Sequence, residues 1–101
     1  MVLTAVAGPG TAGRLARALV RGRLAACVTV VPGAASHYRW KKKFERTRET
    51  LTLIKTSRRC WPKLLDFLKK NHPYEVPEAL MLPVSKGSAD YLSWLDACLR
   101  K

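Results

Sequence analysis

Two prolines close together, Pro73 and Pro77, punctuate this chain more firmly than any other feature. Each fixes its own φ and biases the residue before it away from the α region, so His72 and Val76 are predicted to be extended. The stretch around them reads Asn-His-Pro-Tyr-Glu-Val-Pro-Glu, residues 71–78. It holds an imidazole, a phenol and two carboxylates in a stiffened layout. Such a layout suits a metal or small-ligand site, and equally a rigid elbow that delivers the chain into a following strand at residues 79–84.

Periodicity supplies the elements on either side. Val2 to Val6 is a short apolar strand, broken by Gly8-Pro9-Gly10. Thr11 is placed to cap a helix running to Arg21, with Ala12, Leu15, Ala16 and Leu19 as its apolar stripe and Gly22 at its end. Gly8-x-Gly10 lacks the remaining glycine of a dinucleotide fingerprint and the Gly-Lys-Ser/Thr of a P-loop. Residues 24–31 form a near-continuous apolar run ending at Pro32-Gly33, which predicts a strand buried on both faces. Two more strands are expected at 38–44 and 49–56. A helix at 61–70 carries Trp61, Leu64, Leu65 and Leu68, with Pro62 tolerable in its first turn. Ser88 can cap a last helix with Tyr91, Trp94, Leu95 and Cys98 on one face. The order predicts an α+β, ferredoxin-like β-α-β-β-α-β sandwich with an added hairpin strand and a C-terminal helix.

A chain of 101 residues with a 48% hydrophobic fraction is expected to be one domain, 1–101, with enough apolar content to avoid disorder. No apolar stretch approaches a membrane-spanning length, and the start lacks the pattern of a signal peptide, so the expected address is cytoplasmic. Cys27, Cys60 and Cys98 are odd in number and far apart, which fits neither a disulfide framework nor a zinc knuckle. Cys27 and Cys98 read as buried thiols, and Cys60 beside Arg58 and Arg59 as a thiol open to activation.

The net charge is +12. Arg39, Lys41, Lys42, Lys43, Arg46 and Arg48 are interleaved with Tyr38, Trp40 and Phe44. Cations among aromatics are what single-stranded nucleic acid binding needs. The alternation also fits a hairpin with a solvated basic face and a buried aromatic face, attracting polyanions non-specifically.

The separate motifs, taken together, resemble the CutA family of small divalent-cation tolerance proteins along almost the whole chain. The resemblance is carried by Leu24-Ala25-Ala26-Cys27-Val28, Val31-Pro32-Gly33, Ser36-x-Tyr38-x-Trp40, Glu49 and Ile54-Lys55-Thr56. It continues through His72-Pro73-Tyr74-Glu75-Val76-Pro77-Glu78, Leu82-Pro83-Val84 and Tyr91-Leu92-x-Trp94-Leu95. It implies a ferredoxin-like protomer in a homotrimer built like the PII signalling proteins. It also implies cytosolic residence and a link to copper or another divalent cation, with no catalytic reaction. Some positions depart from the family pattern. Where metal-binding members carry a cysteine in the first strand and a histidine before His-Pro-Tyr, this chain has Thr4 and Asn71. Where members usually have Gly-Lys after the hairpin tryptophan, it has Lys42-Lys43. It is also more basic than most members.

These readings give three expectations. The first is a non-enzymatic trimer of metal tolerance or response, binding metal weakly or through inter-subunit sites, with His72, Glu75 and Cys27 as candidate ligands. Alternatively, the same residues anchor the elbow, pair with cations and pack the sheet. The second is a PII-like trimer binding an anionic small molecule in inter-subunit clefts, with Lys55, Tyr74 and Glu75 in the site. The third is nucleic acid binding by the basic hairpin. No Ser/His/Asp arrangement or paired acids point to an enzyme.

Overall fold

The structure is a computed structural model that describes residues 1–101. Four strands, β1 (Val2–Val6), β2 (Cys27–Trp40), β3 (Lys43–Lys55) and β4 (Leu80–Met81), form one sheet in the order β2-β3-β1-β4. Every neighbouring pair is antiparallel. Helices α1 (Pro9–Arg21) and α2 (Trp61–Asn71) supply the crossovers, a 3-10 turn at Arg58–Cys60 leads into α2, and α3 (Ala89–Cys98) closes the chain. This is the ferredoxin-like sandwich that the element order predicts.

The period of two along β3 separates its side chains cleanly. Thr50, Thr52, Ile54 and Thr56 are buried, whereas Leu51, Leu53 and Lys55 are half-buried. The buried side meets Leu15 and Leu19 of α1 and Leu64 and Leu68 of α2, which repeat at helical spacing. The other side carries Leu3, Leu51 and Leu53 in cross-strand register, with Thr29 and Val31 exposed beside them. The strand begins only at Cys27, and residues 27–31 are covered on one face within the protomer. Of the run 24–31 expected to be buried on both faces, only Leu24, Ala25 and Ala26, ahead of the strand, are fully buried.

Pro32-Gly33 does not end β2. Pairing skips from Val31↔Leu51 to Ala34↔Glu49, leaving Pro32 and Gly33 as a bulge with Gly33 at φ 82°. Because β2 is an edge strand, the missing N–H of Pro32 breaks no essential ladder bond, and the strand runs on to Trp40. The added hairpin strand expected at 38–44 thus resolves into extensions of β2 and β3. They are joined by a two-residue turn at Lys41 and Lys42, with φ 50° and 68°. A two-residue hairpin turn of type I′ requires positive φ at both positions, where glycine and asparagine are preferred. Lys42→Gly is expected to stabilise the hairpin by about 1 kcal/mol, since an L-residue in the left-handed region is strained by that order. Urea unfolding of the two proteins checks it.

Helix ends also differ from expectation. α1 starts at Pro9 after Gly8 (φ 86°), so Thr11 lies within its first turn and accepts a hydrogen bond from Arg14. Gly22 keeps helical geometry, and Arg23 takes the left-handed position instead (φ 58°). Arg23 is held there because its guanidinium donates to the carbonyl oxygens of Ala97 and Cys98 at the end of α3. Arg100 reciprocates by donating to Gly22 O. Cations on helix C-terminal carbonyls satisfy orphan acceptors and the helix dipole together. β4 spans only Leu80–Met81 of the expected 79–84, but Met1 and Leu82 exchange two further backbone bonds beside it. Ser88 caps α3 as predicted, accepting from Tyr91 N.

Candidate functional site

The elbow forms where α2 stops. Asn71 Nδ2 donates to Phe67 O (2.9 Å), and His72 is extended at φ −76° and ψ 138°, as the following proline demands. That turn carries the imidazole inward to 7% exposure. Its Nε2 donates to Ala5 O (3.0 Å) in β1, and its Nδ1 accepts from Tyr74 N (3.2 Å). A carbonyl can only accept and a backbone N–H can only donate, so the pair fixes the neutral Nε2–H tautomer. Burial lowers the imidazole pKa below its ordinary value, against the weaker opposing pull of Ala5 O and Glu49. Both ring nitrogens are thereby engaged, and ligation of a metal by His72 requires one of these bonds to break.

Tyr74 stacks obliquely on that ring, with centroids 4.8 Å apart, and its hydroxyl donates to Glu49 Oε2 at 2.5 Å. Glu49 is itself buried and has no cation partner; the ion pairs of the protein are Arg59–Asp96 and Lys70–Asp66. Burial and the bond to Glu49 push the Tyr74 phenol well above its usual range. A short phenol–carboxylate bond of this kind is charge-assisted and holds the elbow to β3.

Between elbow and hairpin lies an open cleft of about 800 Å³. Tyr38, Trp40 and Glu49 line it from the sheet, with Tyr74, Glu75 and Glu78 from the elbow and His37 beside them. Tyr38 bonds Thr47 across the strands (2.7 Å). Tyr38 and Trp40 are 42% and 40% exposed, so the aromatic face expected to be buried is open in the protomer.

The residues singled out from the sequence are not all neighbours. His72, Tyr74 and Glu75 share the elbow, and Glu75 is exposed with no ion pair. Cys27 and Lys55 face each other at the far end of the sheet, Sγ 3.9 Å from Nζ, where Lys55 also bonds Thr29. Lys55 lies six residues beyond Glu49 along the strand, about 20 Å at the usual rise. One protomer therefore does not bring Lys55 to Tyr74 and Glu75. It lines a second groove instead, about 660 Å³, with Met1, Arg58, Tyr91 and Asp96. Thr4 is in the core, and its hydroxyl finds no partner; Cys60 is buried among apolar residues rather than open to activation. No three His, Cys, Asp or Glu side chains converge within the protomer, so its own donors do not make a closed ligand set.

Sequence reasoning missed two members of the site. Glu49 is legible in the sequence as a family position but not as the partner of Tyr74, and no motif marks His37. No local signal pairs Glu49 with Tyr74, because the two are 25 residues apart and meet only in the tertiary structure.

This architecture, with a proline elbow folded onto the first strand and a long β2–β3 hairpin, defines a particular class of ferredoxin-like protein. The family described as CutA1 divalent ion tolerance protein matches residues 1–98, and the chain belongs to that family. It is 48% identical over 100 residues to the divalent-cation tolerance protein CutA of Pectobacterium atrosepticum, covering 99% of this chain and 91% of that one. The solved structure of the divalent cation tolerance protein from Thermus thermophilus superposes with a TM-score of 0.95 at 43% identity, covering 98% and 96% of the two chains. CutA1 from Oryza sativa gives 0.96 at 38% identity, covering 99% and 92%.

Proposed function

We propose that the protein acts as a non-enzymatic, cytosolic homotrimer of divalent-cation tolerance that holds copper or another divalent ion weakly, between subunits. The observation that carries this reading is the state of the isolated protomer. Leu3, Leu51 and Leu53 form an apolar strip on the open side of the sheet, and Val31, Tyr38 and Trp40 extend it at 40–42% exposure. A sheet face of this kind calls for a cover, and a second and third copy supply one. The elbow cleft opens onto the same side. Copies meeting there bring the carboxylates of Glu75 and Glu78 from more than one chain together, an oxygen set able to hold a divalent ion weakly.

Mass measurement in solution is expected to give three copies of the 11.3 kDa chain, and Leu53→Glu, in the middle of the open face, to give monomer. A competitive Cu(II) titration against a chelator then separates the ligands. Glu75→Gln with Glu78→Gln should weaken binding at least ~10-fold, about 1.4 kcal/mol, and Leu53→Glu should abolish it. A wild-type monomer, or metal affinity untouched by all three changes, would overturn the reading. Fractionation of the native host checks the compartment.

A further inference from the structure

The hairpin sorts its charges by face. Cross-strand partners share a side of the sheet, so the register places Arg39 opposite Phe44, His37 opposite Arg46 and Ala35 opposite Arg48 on one face. The other face carries Tyr38 with Glu45, Ser36 with Thr47 and Ala34 with Glu49. Both acids of the hairpin thus lie on the cleft side. The opposite face has three arginines and no carboxylate. It continues the side of β3 that α1 and α2 cover at Thr50, Thr52 and Ile54, but beyond Arg48 its side chains are exposed. The turn adds Lys41 and Lys42 at the tip, both exposed. None of these cations has an ion-pair partner.

At the tip end of this face, opposite Arg39, Phe44 is 70% exposed, with the His37 ring 6.2 Å away. A bare phenyl among unpaired arginines costs solvation and gains nothing in the protomer. It becomes useful against a ligand that has both negative charge and flat apolar faces. We propose that this face binds single-stranded nucleic acid, with phosphates on Arg39, Arg46 and Arg48 and a base stacked on Phe44. Arg46 and Arg48 are about 6.6 Å apart along the strand, which lets one extended backbone meet both. Guanidinium forks pair with phosphate bidentately, and any base can stack on the ring, so the mode is sequence-tolerant. A duplex hides its base faces and an acidic peptide lacks them. A lipid surface calls for a wider apolar face than one phenyl. This face lies on the reverse of the strip assigned to subunit contacts, and in the proposed trimer three copies of it add avidity. The proposal does not depend on metal binding.

Fluorescence anisotropy with a labelled oligo(dT), over a salt series, tests it, with heparin as a polyanion lacking bases. In Arg39→Gln/Arg46→Gln/Arg48→Gln, the log–log salt slope is expected to shrink by about 2, at about 0.7 per phosphate contact. Phe44→Ala should lower oligo(dT) affinity at least ~5-fold and leave heparin binding unchanged. These side chains are exposed, and circular dichroism confirms that the variants fold. Oligo(dT) binding indifferent to the three arginines overturns the surface assigned. Binding indifferent to Phe44 and matched by heparin overturns recognition of nucleic acid, leaving charge attraction only.

Discussion

His72→Ala is expected to destabilise the protein by about 3 kcal/mol, whether or not metal is present. The substitution removes a buried ring, strips Ala5 O of its donor and leaves Tyr74 N without its acceptor. Urea unfolding in chelator and in copper separates anchoring from ligation. A ligand role makes the loss grow with metal concentration, whereas an anchoring role makes it equal in both. The pH dependence has a definite sign. Below the ordinary imidazole pKa of 6.5, the unfolded chain takes up a proton that the folded ring refuses. Stability therefore falls as pH drops through that value, and levels off once the folded ring protonates too. His72→Gln, which retains a donor, should recover part of the stability and lose this acid slope.

The second large effect is at Tyr74. Tyr74→Phe leaves the buried Glu49 carboxylate without a hydrogen bond, at a cost of about 2–3 kcal/mol. Glu49→Gln should cost less, because the amide oxygen still accepts from the phenol and no buried charge is stranded. In the double variant Tyr74→Phe/Glu49→Leu, most of the loss should be regained, since neither group is then left unpaired. At high pH the wild type should weaken. Above about 10, tyrosine ionises in the unfolded chain while Tyr74 keeps its proton, so stability falls as pH rises. Denaturant midpoints from neutral to strongly alkaline pH should show this fall in the wild type and lose the Tyr74 share in Tyr74→Phe.

Both effects depend on the elbow, which shows what kind of information the chain carries locally. Pro73 and Pro77 act through φ and through the residue before them, so the extended geometry of His72 was readable without any tertiary contact. The same is true of β1, α1 and α2. In the two helices the apolar residues repeat at three to four, and the covered faces follow that repeat. Ser88 caps α3 for a local reason as well, a hydroxyl on the residue just before the helix.

Long-range contacts decided the rest. Pro32-Gly33 reads as a stop, yet it is a bulge, because the sheet order puts β2 at an edge where a missing N–H is harmless. Gly22 reads as the residue to leave α1, yet Arg23 takes the left-handed position, because the end of α3 offers two carbonyls to its guanidinium. Lys41 and Lys42 occupy a turn that favours glycine, because the register of two long strands leaves two residues to join them. The sequence thus determined the elements, their order and the stiff elbow, all of which arise from interactions within a few residues. Only the tertiary structure joined Tyr74 to Glu49, turned both nitrogens of His72 inward and separated the arginines from the acids of the hairpin. Those outcomes depend on which strands become neighbours and in what register, and no local preference encodes that.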